Sequence, residues 1–302
     1  MTTVAPAVPR PRLLRPVARR TPGGIVFEVL LWLALFLALL ALATLLVQML
    51  AKGWSGLSWH FLTSDATADP TTAGLKQSLV GSLYIMGITI AVALPLGVAT
   101  AVYLEEYARD SRLTRVVQVN IRNLAAVPSI VYGLLGLAIF VPAASAIFGG
   151  PARGRITLAG GLTLAILVLP IVIIAAAEAI RSVPQMLREA AFGLGATKWQ
   201  VIRSQILPNA LPGILTGSVL AVSRGIGESA PLLLVGGLTG SGVNLDVGLT
   251  TPYTALPLQI FAWTRAPNFV AQAASAIIAL LAVLLVLNSA AILLRNKYHR
   301  SW

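Results

Sequence analysis

Six apolar runs dominate this chain of 302 residues, at about 27 to 50, 79 to 104, 124 to 148, 156 to 180, 211 to 238 and 270 to 294. A helix needs roughly 20 apolar residues to cross the ~30 Å hydrocarbon core of a bilayer. Every run is long enough, and in lipid a lone segment can satisfy its own backbone polar groups only as a helix. The composition agrees, with 57% apolar and 11% charged residues and a mean hydropathy of +0.85, outside the range of soluble domains. The expected fold is an all-α membrane protein with six transmembrane helices. The first run follows Arg10, Arg12, Arg15, Arg19 and Arg20, but it is too long for a signal core and lacks a small-residue cleavage site, so it reads as a retained helix. Residues 1–24 read as a disordered basic tail, 25–74 as the first helix with an outside loop, and 75–302 as a core holding the other five helices.

Orientation follows from the cations. With both termini cytoplasmic, the inside segments hold the five tail arginines; Arg109, Arg112, Arg115 and Arg122; Arg181, Arg188, Lys198 and Arg203; and Arg295, Lys297 and Arg300. The outside holds Lys52, Lys76, Arg153, Arg155 and Arg265, and Arg224 falls inside a span. The positive-inside rule therefore sets N-in and C-in. The net charge of +12 is spread over short loops without interleaved aromatics, which points to anionic lipid and away from nucleic acid. Cysteine is absent, His60 and His299 are far apart, and no Gly-Lys-Ser/Thr phosphate loop occurs, so thiol chemistry, a metal site and nucleotide binding on this chain are not expected.

Between the fourth and fifth runs lies a polar hairpin, Glu189 to Pro208, EAAFGLGATKWQVIRSQILP. Ser182 can cap a helix entered through Pro184, Gly195 can end it, and Thr197 with Gln200 forms a capping box for a second short helix stopping at Pro208. The Glu-Ala-Ala triplet, the later Gly and Leu207-Pro208 resemble the EAA loop of ABC importer permeases, although the aliphatic residue of that pattern stands at Ile206 where the family has it at the position of Gln205. The resemblance implies a type I ABC importer permease (MetI-like) fold, with 182–208 as a cytoplasmic loop seated in an ATPase groove and Glu189, Ala190, Ala191 and Gly195 as coupling residues.

The fifth run contains Ser223-Arg224-Gly225-Ile226-Gly227-Glu228-Ser229-Ala230-Pro231. If the helix starts near Leu211 and continues to 238, Arg224 lies roughly 20 Å along it, near the bilayer centre, where an ion needs a partner or a wet cavity. Glu228 would then share its face, four residues on. In one reading Arg224 presents a planar array of donors to a passing oxyanion and Glu228 tunes it. In the other, the pair neutralises itself and locks helix packing. Gly225 and Gly227 allow close approach of another helix or a substrate. The stretch SRGIGESAPLLLVGG resembles the fifth-helix signature of the PstA-type permeases of bacterial phosphate ABC transporters, with Gly225 and Ser229 where that family has Ala and Thr. VYLEEYA (Val102 to Ala108), VPSIVYGLLGL (Val127 to Leu137) and TALPLQIFAW (Thr254 to Trp263) agree with it.

The resemblance implies a phosphate import permease in the bacterial cytoplasmic (inner) membrane, not itself an enzyme. Its expected partners are a second, PstC-like permease, a PstB-like ATPase dimer that carries ATP and Mg, and a PstS-like extracytoplasmic phosphate-binding protein. Expected pathway residues are Arg224, Glu228, Ser223, Ser229 and Ser129, the last beside Pro128. Pro95, Pro128, Pro142, Pro170 and Pro231 interrupt apolar runs and invite kinks, and the outside segment from Gly240 to Asn268 is a surface for the binding protein. The alternatives are another cargo (molybdate, sulfate, phosphonate or an organic solute) and an ATP-independent channel or membrane enzyme using Arg224 and Glu228.

Overall fold

The computed structural model describes residues 22–149, 153–239 and 248–298, so the basic tail expected over 1–24 lies outside it up to residue 21. The described chain divides into two compact units, one ending at Gln48 and the other starting at Met49. The first is the bulk of α1 (Pro22–Gly53), a helix apolar on every side with no polar face. In the second, α2 (Trp59–Thr63) precedes α3 (Lys76–Val102), which runs into a π turn at Tyr103–Tyr107. Then come α4 (Arg112–Ala125), α5 (Ser129–Phe148), α6 (Thr157–Arg181), α7 (Gln185–Gly193) and α8 (Lys198–Val201). A second π turn, Ile202–Ile206, joins α8 to α9 (Leu207–Ile226); α10 (Ala230–Leu234), α11 (Leu256–Thr264) and α12 (Val270–Tyr298) follow. Six helical stretches are long and apolar enough to span a membrane, and no strand occurs among the described residues.

Helix α6 is the axis of the core, packed on α3, α9, α5 and α4. Its small residues let the neighbours close in. Tyr253 lies against Gly160 and Ile88 against Gly161, each so near that a Cβ there would come within 2.7 Å. Where α6 meets α9, Ala175 and Ala179 face Gly217 and Gly213, two small residues four apart on each helix, the pattern that lets membrane helices touch backbone to backbone. Apolar clusters fill the space around α6, one of them built from Val102, Ala176, Ile180, Ile202, Ile206 and Ile214 at the α7 end. The C-terminal ends of α3 and α6 pair through Arg181 and Glu105, and Arg295 near the end of α12 lines the same cleft as Glu178. The ends of spans two, four and six therefore lie together, as the alternating topology requires.

Four differences from the sequence reading have local causes. Span five is Lys198–Ile226, not 211 to 238. The second helix of the hairpin does not stop at Pro208, because the π turn shifts the hydrogen-bond register just before a residue that has no N–H to donate. That turn also keeps Ile202 and Ile206 both buried, which absorbs the displaced aliphatic position while Gln205 remains half-buried. Ser182 caps the end of α6, its hydroxyl donating to the Ala179 carbonyl at 2.7 Å, and Pro184 is the N-cap of α7. Third, the stretch before Ser129 is an amphipathic helix, α4, with no buried residue. Finally, Pro128 and Pro231 begin helices, so only Pro95, Pro142 and Pro170 of the five named lie inside one, joined by Pro212.

Candidate functional site

The intramembrane site is built on the abrupt end of α9. Gly227 is its C-cap, its N–H meeting the Arg224 carbonyl at 3.2 Å. A helix continuing past it would drive the Pro231 ring into the Gly227 carbonyl, and the two glycines offer little helix propensity to resist a break. The chain turns through Glu228 and Ser229 and restarts with Pro231 in the first turn of α10. Glu228 is therefore off the helix, and the expected same-face ion pair is not formed: among the described residues no salt bridge joins Arg224 to Glu228. The self-neutralised packing pair is excluded by the same break. Arg224 is exposed and Glu228 half-buried.

Arg224 stands in the last turn of α9, where the negative end of the helix dipole favours a cation. Gly213, Thr216 and Leu220 share its exposed face at helical spacing. The lower part of that stripe lines a cleft of about 750 Å³ whose charged groups are Glu178 and Arg295, so an exposed track runs from Arg224 to the end of the bundle that carries α7. The two glycines differ in role. Gly225 is buried against Val168, 2.8 Å from where its Cβ would stand, whereas a Cβ at Gly227 would meet only the Arg224 carbonyl, at 3.6 Å. Ser223 turns away from the track and donates to Oδ1 of Asn288 on α12 at 2.9 Å. The sequence reading missed Asn288, although an amide in the middle of the aliphatic stretch 276–294 was a visible signal. Ser229 is the N-cap residue of α10 without a side-chain cap bond, and Ser129 opens α5 one turn before Gly133, which lies against Pro231. The five expected pathway residues thus divide: the α9 end leads into the 228–231 turn, α5 meets that turn at Gly133, one helical turn beyond Ser129, and Ser223 serves a helix contact.

At the other end, α7 and α8 make the expected compact knob. The capping box is formed, with Gln200 Oε1 accepting from the Thr197 N–H at 2.7 Å and Thr197 Oγ1 from the Gln200 N–H at 3.5 Å. Gly195 sits at φ +80°, left-handed backbone that favours glycine, and this reverses the chain between the helices. Glu189 and Ala190 are exposed, Glu189 Oε1 accepting from Gln185 Nε2 at 2.9 Å, and Ala191 packs on the cluster under the knob. Met186, Leu194 and Trp199 are 78%, 90% and 55% exposed. These three large apolar side chains stand exposed on a polar knob, a feature the motif alone did not reveal.

On the outer side, the TALPLQIFAW segment is not a loop. It forms α11, with Leu256, Leu258 and Gln259 buried and Trp263 stacked on Phe269 at 5.7 Å between centroids. The exposed residues described in this region are Leu249, Thr250, Thr264, Arg265, Pro267 and Asn268, while 240–247 lie outside the described residues. Tyr253 donates to the Leu232 carbonyl at 3.0 Å, tying this segment to α10. Burial pushes the Tyr253 phenol well above its ordinary pKa, a backbone hydrogen bond from Gly237 acting the other way.

The family of binding-protein-dependent transport system inner membrane components matches residues 93–300. The chain is 34% identical over 298 residues to the Mycobacterium tuberculosis phosphate transport system permease protein PstA 1, covering 97% of this chain and 93% of that one. It is 35% identical over 220 residues to the probable ABC transporter permease protein YqgI of Bacillus subtilis, covering 73% and 72%. Its fold matches a chain of the inward-facing MetNI methionine ABC transporter with a TM-score of 0.54 at 21% identity, over 75% of this chain and 95% of that one.

Proposed function

Because this chain belongs to the family of binding-protein-dependent transport system inner membrane components, we propose that it is the permease subunit of an ATP-driven phosphate importer of the cytoplasmic (inner) membrane. The observation that carries the reading is Arg224, an exposed cation at the head of a track that leads to the knob end of the bundle. A guanidinium offers planar paired donors that match an oxyanion. With Glu228 turned off the helix, those donors are not already occupied by its carboxylate. The negative end of α9 limits how tightly an anion is held there, which suits a site that must also release. Glu228 and Ser229 form the adjoining turn, and Ser129 opens the helix that packs on it at Gly133.

The remaining partners follow from the same assignment. A second permease faces the exposed stripe of α9, and an extracytoplasmic binding protein delivers phosphate to the outer side. Two ATPase subunits seat the α7–α8 knob through Glu189, Ala190, Ala191 and Gly195, with the exposed Met186, Leu194 and Trp199 enlarging the contact. ATP and its Mg are held by those subunits, and no bond of phosphate or ATP is broken on this chain. What this chain supplies is two arrangements that differ in which side is open and in affinity for the anion.

The test is uptake of radiolabelled phosphate by vesicles carrying the complete complex, native and Arg224→Gln, with ATP hydrolysis and assembly followed in parallel. ATP-dependent uptake that phosphate outcompetes and sulfate and molybdate do not, lost in the assembled variant, is the expected result. Undiminished uptake by the variant removes Arg224 from the pathway, and an assembled native complex that carries no phosphate refutes the cargo.

A further inference from the structure

The segment YLEEY, Tyr103–Tyr107, is assigned no part in the proposed pathway or docking face, yet its side chains meet Arg181, Arg188 and Lys198 on the knob side of the bundle. Its charges run against local preference. Glu105 and Glu106 stand at the C-terminal end of α3, where the helix dipole is already negative. Both are nonetheless shielded, at 12% side-chain exposure each, and each holds a different arginine. Arg181 at the end of α6 donates Nε to Glu105 Oε2 and NH2 to Glu105 Oε1, both at 2.7 Å, a two-pronged pair that fixes direction as well as distance. Arg188 of α7 places NH2 3.3 Å from Glu106 Oε1, and donates to the carbonyls of Ile180 and Val183 at 2.9 Å each. The next residue, Tyr107, carries Lys198, the first residue of α8, 5.1 Å above its ring.

Three consecutive side chains therefore grip three elements. A regular α-helix would fan three successive side chains out in steps of about 100°, whereas the wider π turn narrows the fan and crowds them toward one side. We infer that Glu105, Glu106 and Tyr107 form a three-point clamp that makes the ends of α3 and α6 and both helices of the knob one rigid body. A push on the knob then reaches spans two and four together. The inference rests on the reading that an ATPase displaces this knob, and it makes Glu105, Glu106, Arg188 and Tyr107 transmission residues that touch neither cargo nor nucleotide.

The chain has no cysteine, which permits a test in the full complex. Leu220→Cys places a thiol on the exposed track, and ATP-driven change in its labelling reports the movement of the bundle whatever the cargo is. In Glu106→Ala with Tyr107→Ala, which removes two of the three grips, ATP hydrolysis stays near native while the labelling change per ATP hydrolysed falls by at least the about 2- to 30-fold that a single coupling residue is worth. Labelling per ATP equal to native overturns the clamp. A second variant, Glu106→Cys with Arg188→Cys, replaces the grip with thiols that a short bifunctional reagent can join. Joining restores uptake coupled to hydrolysis if the elements move together, and arrest on joining shows a hinge there and refutes the inference. A native complex that moves its thiol but carries no phosphate refutes the cargo reading alone.

Discussion

The crossing of α6 and α9 brings the two backbones close together, and it can be tested one methyl at a time. A Cβ added at Gly213 would stand 2.8 Å from the Ala179 Cβ, 0.6 Å inside the 3.4 Å at which ordinary contact begins, and one at Gly217 would crowd the Ala175 Cβ more closely still. A Cβ is fixed to the backbone, so no rotamer relieves the clash and the helix axes must part. Overpacking of this kind costs about 1–3 kcal/mol, set against about 1 kcal/mol gained from replacing a mid-helix Gly by Ala. Gly87, exposed on α3 with nothing within 4 Å of its would-be Cβ, isolates that gain. Gly217→Ala and Gly213→Ala are therefore expected about 1–3 kcal/mol less stable than Gly87→Ala. At about 2–4 °C per kcal/mol for a domain of this size, thermal unfolding in lipid nanodiscs should separate them by about 2–12 °C. Moving the methyl back, with Ala175→Gly added to Gly217→Ala, restores most of the loss. If Gly217→Ala is as stable as Gly87→Ala, or the second change rescues nothing, the backbone contact between α6 and α9 is not what holds them.

Three smaller changes probe other links. Ser82→Ala removes the hydroxyl that accepts from the buried Leu256 N–H at 2.8 Å, and an orphaned buried donor costs about 1–3 kcal/mol, so thermal unfolding should show α11 loosened from α3. Thr197→Ala breaks the capping box of α8 at a cost of about 1 kcal/mol; binding of the ATPase subunit to the assembled permease should weaken while the spans keep their unfolding temperature. Asn288→Ala takes the acceptor from Ser223, worth about 0.6 kcal/mol inside a membrane, and should lower phosphate uptake with ATP hydrolysis retained, because the α9 end loses its lateral support.

Hydrophobic length reported where the chain is in lipid, and it reported nothing about direction. Five spans were therefore legible to within a few residues at most ends, while the fifth ran past its true end into 227–238. That stretch is rich in leucine because α10 packs on α5 and α6 inside the bundle. The signal that the helix stops was local and present in Gly227 and Pro231, and it was outweighed by the run of leucines that follows. The same error produced the Arg224–Glu228 ion pair, since spacing of four means a shared face only while the helix lasts. The knob was read well because its determinants are neighbours in sequence: Thr197 and Gln200 are three apart, and the left-handed position is a glycine.

The clamp shows the opposite limit. Glu105 and Arg181 are 76 residues apart, and no periodicity connects them. What the sequence does carry is a conflict, two acidic residues at the end of a helix where the dipole opposes them, and a cluster of arginines beyond the next cytoplasmic turn. A conflict between local preference and position signals that a distant partner settles the account. The same reasoning separates the two kinds of arginine on this chain. Arg181 and Arg188 each meet a carboxylate and carry structure, whereas Arg224, one turn from a helix end and exposed, forms no salt bridge to a carboxylate among the described residues, as the proposed role in the anion pathway requires.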